Sequence, residues 1–224
     1  MELVIFDFEG TLVDFQWQLQ AALDELYPQL QRCLACAGIS PVTIAGLDYC
    51  RLYNFLGAAI SDPGLCRETL ALVDAVFDRF DADAATRWQL HPDAPKLLSR
   101  LQQAGVKLAL DSNVGRRALD LMLEKFSLND FFPITVSRNE VLRLKPDPEG
   151  IARIRSFFEL SESAPALLVG DSVTDIETAR AAGLAVAIIT NGEDRTARLK
   201  AHQPDYLVAR LSELETVLLS GGRD

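Results

Sequence analysis

The sequence predicts an α/β fold, a parallel sheet with helices on both faces, carrying an inserted all-α domain. Three observations predict it. Short runs rich in Val, Ile, Leu and Ala alternate with helix-spaced stretches through the C-terminal two thirds, as in a parallel sheet covered on both sides. Those runs are continuously apolar rather than alternating, the pattern of strands buried on both faces. A first such run at 3–6 is followed by no other until 106–110, and that separation is too long for a crossover.

The elements follow in order. Leu3-Val-Ile-Phe6 is the first strand, and Asp7 follows it at once. Residues 16–88 have helical spacing, with Leu19, Leu23, Leu26 and Leu30 and then Leu70, Val73, Phe77 and Phe80. They are read as a helical cap domain, inserted into a core formed by 1–15 and 89–224. Asp62-Pro63-Gly64 marks a turn within the insert. Strands are predicted over 106–110, 134–137, 166–169, 184–189 and 206–208. Helices are predicted over 115–126, from Pro148 to 158, and over 174–182, 194–201 and 211–219. The tail, 220–224, reads as frayed.

Composition excludes several function classes. The chain has 224 residues, with 22 Lys+Arg against 32 Asp+Glu and a net charge of −10. That charge argues against binding nucleic acid or an anionic membrane. No run approaches the roughly 18 apolar residues of a spanning helix. The N-terminus lacks a basic n-region, so no signal peptide is expected. Cys33, Cys36, Cys50 and Cys66 fall in one third of the chain and read as thiols on helices in a cytoplasmic protein. Cys33 and Cys36 lack the second ligand pair that a zinc site needs. An anionic substrate would therefore require a pocket made locally positive by a metal or by placed cations.

In an open parallel sheet, ligands bind beyond the carboxyl ends of the strands. After the first strand comes Asp7-Phe-Glu9-Gly10-Thr11. After the second comes Asp111-Ser112-Asn113, and after 166–169 comes Gly170-Asp171-Ser172 with Asp175 close behind. Lys145, in a loop before a helix, can reach the same edge. Converging Asp7, Glu9, Asp171 and Asp175 would repel one another, so a cation must offset them. Hard carboxylate oxygens with no His or Cys nearby select Mg²⁺. A carboxylate nucleophile, a metal, a lysine and a hydroxyl donor together suit phosphoryl transfer.

At these residues the chain resembles the haloacid dehalogenase-like (HAD) hydrolases. Asp7-Phe-Glu-Gly-Thr-Leu-Val-Asp14, Ser112-Asn113, Lys145-Pro146 and Gly170-Asp-Ser-Val-Thr-Asp175 look like the four motifs of that superfamily. The insert after the first motif resembles the helical cap of the phosphoglycolate phosphatase and β-phosphoglucomutase branch. The resemblance implies a Rossmann-like core from Met1 to about Asn191. It implies that Asp7 attacks phosphorus to form an aspartyl-phosphate, that Ser112 hydrogen-bonds the phosphoryl oxygens, and that Lys145 neutralises them. It also implies that Asp7, Asp171 and the backbone carbonyl of Glu9 ligate Mg²⁺, with Asp175 in support. Gly10, with Asn113, would let the backbone approach the phosphate.

One departure stands out. The family's phosphatases carry Asp two residues after the nucleophile, and here it is Glu9. Glu has nearly the same intrinsic pKa, so acid–base chemistry is available, but the side chain is about 1.5 Å longer. On length alone, Glu9→Asp is expected to retain or raise turnover. A carboxyl at this position favours phosphate chemistry over halide displacement, because the dehalogenase branch carries a non-carboxylate there. Asp111 lies outside the motifs and is read as structural. Trp17 and Trp88 are read as cap core, and Arg51, Arg79 and Arg87 as solvated charges. The implied protein is a Mg²⁺-dependent phosphatase of a small phosphorylated metabolite, a monomer or a homodimer. A phosphosugar mutase or dehalogenase on the same scaffold, or a binding protein impaired by Glu9, is the alternative.

Overall fold

The structure, a computed structural model, describes residues 1–190 and 192–219. Six parallel strands form one sheet in the order β3-β2-β1-β4-β5-β6. They are β1 (Leu3–Phe6), β2 (Lys107–Asp111), β3 (Thr135–Val136), β4 (Ala166–Gly170), β5 (Ala185–Ile189) and β6 (Tyr206–Val208). Each predicted strand is present within about two residues of its expected ends. All four side chains of β1 are fully buried, because β2 and β4 flank it and helices cover both faces. Val4 and Phe6 face one apolar layer and Leu3 and Ile5 the other. The expected frayed tail, 220–224, lies outside the described residues.

Five helices stand between β1 and β2, four of them in the insert: α1 (Leu19–Ala37), α2 (Pro41–Ile44), α3 (Tyr49–Ala59) and α4 (Pro63–Ala85). On α1 the buried Leu23, Leu26, Leu30 and Leu34 form one stripe, and the helix stops at Gly38, whose φ of 67° only glycine adopts cheaply. Asp48 starts α3 by accepting a hydrogen bond from Arg51 N at 2.8 Å. Asp62-Pro63-Gly64, expected as a turn, is the start of α4: Asp62 caps it, accepting from Leu65 N at 2.6 Å, and Pro63 occupies its first turn. The fifth, α5 (Ala94–Gln103), follows the insert, is not among the predicted helices, and buries Leu97, Leu98 and Leu101. Its available signals were Asp93 ahead of Pro95 and the leucine spacing. The remaining helices, α6 (Arg116–Lys125), α7 (Glu149–Phe157), α8 (Val173–Ala181), α9 (Thr196–Ala201) and α10 (Leu214–Leu219), lie where the apolar spacing predicts them.

The two links between sheet and insert run side by side. Asp14 N donates to Gln89 O at 3.1 Å and His91 N to Leu12 O at 2.9 Å, and Val13 pairs antiparallel with Leu90. The carboxylate of Asp14 also accepts from Gln89 N at 2.7 Å. This short ladder places the insert over the carboxyl ends of β1, β2 and β4.

Candidate active site

Three adjacent strands, β2, β1 and β4, end at one edge and deliver Ser112, Asp7 and Asp171 there. The Asp7 side chain is 13% exposed and its Oδ1 lies 3.0 Å from Lys145 Nζ. Lys145 also pairs with Asp175 Oδ1 at 2.7 Å. The other oxygen of Asp175 accepts from Ser172 Oγ at 2.7 Å and from the backbone N–H groups of Asp171 and Ser172, both at 3.2 Å. Asp175 therefore caps α8 and anchors Lys145 at once. Thr11 Oγ1 donates to Asp171 Oδ1 at 3.3 Å, and Glu193 N donates to Asp171 Oδ2.

The structure brings Asp7, Asp171 and Asp175 together, each offering an oxygen within 4.8 Å of the others. Burial pushes Asp7 up to about 6, with Lys145 pulling it down and Asp175 pushing it further up. Asp171 is driven well above the carboxylate range by burial, then by Asp175 and Asp7. Burial opposes the Lys145 charge, but Asp175, Asp7 and Asp111 outweigh it and hold the ammonium protonated. One lysine balances only one of the three carboxylates. This all-oxygen, acid-rich set without sulfur or imidazole fits a hard divalent cation.

Glu9 lines the same cavity as Asp7, Ser112 and Lys145. Its Oε1 accepts from Trp88 Nε1 at 2.7 Å and from Gln16 N at 2.8 Å. Burial raises its pKa to about 8, against the pull of those two bonds. Ser112 Oγ accepts from Val114 N at 3.3 Å, which leaves its own hydrogen for a ligand. Asn113 lines the cavity with its amide engaged: Nδ2 donates to Cys50 Sγ at 3.0 Å, and Oδ1 accepts from Lys145 N at 3.2 Å. Gly10, with φ of 78°, leaves room for a carboxylate, since a Cβ there would stand 2.2 Å from Asp171 Oδ2. The expectation for Gly10 was an approach to phosphate.

The insert walls the far side with Leu19, Tyr49 and Arg51, next to Phe15 of the outgoing link, leaving a cavity of about 270 Å³. Arg51, read from sequence as solvated, pairs with Asp48 at 2.6 Å and with Glu177 of the core at 2.7 Å. Asn54 holds the loop before Lys145 by two bonds, Nδ2 to Leu144 O at 2.8 Å and Leu144 N to Oδ1 at 2.7 Å. Neither residue carries a sequence motif; the Asp48 cap was the only available pointer to this wall. Arg79 instead pairs with Glu25, and Arg87 with Asp83 at 2.7 Å, both away from the cavity wall.

Comparison with known proteins agrees with this geometry. The model of the haloacid dehalogenase-like hydrolases matches residues 4–189. The chain is 28% identical over 214 residues to phosphoglycolate phosphatase 1 of Pseudomonas aeruginosa, covering 95% of this chain and 78% of the relative. It is 27% identical over 225 residues to a phosphoglycolate phosphatase of Vibrio vulnificus, covering 98% and 96%. The fold superposes on a haloacid dehalogenase-like protein from Agrobacterium tumefaciens with a TM-score of 0.60 at 24% identity, over all of both chains.

Proposed function

Because the chain belongs to the haloacid dehalogenase-like hydrolase family, we propose that it is a Mg²⁺-dependent phosphatase of a small, cytoplasmic phosphorylated metabolite. The observation that carries this reading is Asp7 held 3.0 Å from Lys145 in a cleft between sheet and insert, beside Asp171 and Asp175. The phosphoglycolate phosphatases among its relatives and the cavity of about 270 Å³ favour a compact ester such as phosphoglycolate or a small sugar phosphate.

In this reading a carboxylate oxygen of Asp7 attacks phosphorus, and the bond from phosphorus to the leaving oxygen breaks. Glu9 gives that oxygen its proton, so the product leaves as an alcohol. Water then attacks the aspartyl-phosphate, Glu9 takes a proton from it, and phosphate departs as Asp7 is restored. Lys145 keeps Asp7 ionised and balances the incoming charge, while Ser112 donates its hydroxyl hydrogen to a phosphoryl oxygen. Asp7, Asp171 and the Glu9 carbonyl, supported by Asp175, would hold Mg²⁺, which supplies Lewis-acid charge to the phosphoryl group when bound. The insert over the cleft screens the attack of Asp7 from bulk water.

The test is hydrolysis of phosphoglycolate and p-nitrophenyl phosphate with and without Mg²⁺. Asp7→Asn is expected to lower turnover by about 10³-fold or more. Turnover that survives this substitution removes Asp7 as the nucleophile.

A further inference from the structure

Trp88 occupies an unexpected place. By sequence it belongs to the apolar core of the insert, yet it sits at the return link to the sheet, 2% exposed. Its ring stands edge-on to Phe8, with centroids 5.5 Å apart at 87°. An indole has one polar atom, and here that Nε1–H points at Glu9 Oε1. Gln16 N, on the outgoing link, reaches the same oxygen. Arg87 Nη2 ties the two links together through Gln16 O at 3.2 Å. One carboxylate oxygen is thus pinned between both links, while Oε2 receives no hydrogen bond among the described residues.

We infer that Trp88 is a positioning residue: its indole N–H holds Glu9 so that Oε2 is presented to the leaving oxygen. This role rests on the phosphatase reading above. It also explains the longer acid. An aspartate at position 9 would fall short by about 1.5 Å, and the 2.7 Å contact with Trp88 would stretch beyond hydrogen-bonding range. Glu9 and Trp88 form a matched pair, and the expectation from length alone, that Glu9→Asp retains turnover, is reversed.

The experiment compares kcat/KM for an alkyl ester, β-glycerophosphate, with that for 2,4-dinitrophenyl phosphate, whose leaving group departs without a proton. Trp88→Phe is expected to lower the alkyl value by about 10–100-fold, as a misplaced acid would. The dinitrophenyl value should change by less than about threefold, because that step needs no acid. In a Glu9→Gln background, Trp88→Phe should cost nothing more on the alkyl ester, since it acts through Glu9. Equal losses on both esters, or losses that multiply in the double variant, overturn the role, because a packing defect spares neither ester. If Trp88→Phe does not fold, Glu9→Asp tests the same bond from its other end, and full alkyl activity there overturns the pairing. Hydrolysis of neither ester by the wild-type chain would defeat the phosphatase reading together with this role. Uniform losses in an active enzyme would defeat this role alone.

Discussion

Asp111, at the end of β2, shows how burial sets the chemistry of a single side chain. It is 4% exposed, and its Oδ2 has no hydrogen-bond partner among the described residues. Gly150 of α7 makes room for it, since a Cβ there would stand 2.1 Å from Oδ1. Burial pushes its pKa from 3.8 to about 7, only partly offset by Lys145. Between those values the folded chain keeps a proton that the unfolded chain has released, so stability falls as pH rises from about 4 to about 7. Asparagine mimics the protonated acid and does not ionise. Relative to wild type, Asp111→Asn should be near neutral below pH 4 and stabilising by up to about 4 kcal/mol above pH 7. Urea unfolding at several pH values checks this, and a difference that does not vary with pH refutes it. The sequence exposed Asp111 as a carboxylate at the right edge, but its lack of a partner depends on packing across β2 and α7. Asp7 and Asp171 were legible because each follows a strand, Asp175 because it opens a helix, and Lys145 because it stands before Pro146 in a loop that leads into a helix. Trp88 was not, because an indole in an apolar stretch reads as core wherever its N–H points.

At the scale of elements, the site depends on how the insert grips the core. Asn54 on α3 holds the backbone of Leu144, next to Lys145. On the opposite side Arg138, 1% exposed in the loop after β3, reaches across to α4. It pairs with Asp74 at 3.1 Å, Asp81 at 2.9 Å and Asp78, and donates to Asn113 O at 3.0 Å. Burial works against its charge, yet Asp81, Asp78 and Asp74 outweigh it and raise its pKa above the ordinary arginine range. Asp81 is further held by Trp17 Nε1 and Gly115 N, both at 2.9 Å. Replacing Arg138 with Met would leave Asp81 buried without its cation, a loss of about 3–5 kcal/mol in denaturant unfolding. A loss below about 1 kcal/mol would mean that water takes over the pairing. None of this was readable from sequence. Arg138 and α4 are far apart along the chain, and an arginine in a loop reads as solvated. The helices α1, α4 and α6 to α10 were legible through apolar spacing, whereas α2, a single turn, and α3 and α5, whose short stripes were missed, were not.

For the whole molecule, three aspartates from distant parts of the chain meet where the sheet ends. The wild-type chain should gain stability from Mg²⁺, because an ion that binds only the folded form shifts the equilibrium toward it. Saturation at 100 times Kd adds about 2.7 kcal/mol. At about 2–4 °C per kcal/mol for a chain of this size, the melting temperature should rise by several degrees. Asp171→Asn should abolish the rise, and calorimetry with and without Mg²⁺ measures both. A wild-type melting temperature indifferent to Mg²⁺ would separate the three aspartates from any metal. Fold class was legible at this scale because strand runs and helix stripes alternate. The insert was legible as a helical domain over one edge of the sheet, but the paired links at 12–14 and 89–91 were not, since their hydrogen bonds join segments far apart along the chain.

The placement of β1 also bears on how the protein is made. Leu3 pairs with Lys107 on one side and Ala166 on the other, so the central strand finds its second neighbour only after three quarters of the chain exists. Contacts this distant in sequence slow folding, because a long loop must close before they form. During synthesis β1 must wait, apolar and unpaired, while the helices of the insert that follow it can gather among themselves. A chaperone that shelters β1 until β2 and β4 emerge would therefore matter more to the yield of this protein than one that acts after release.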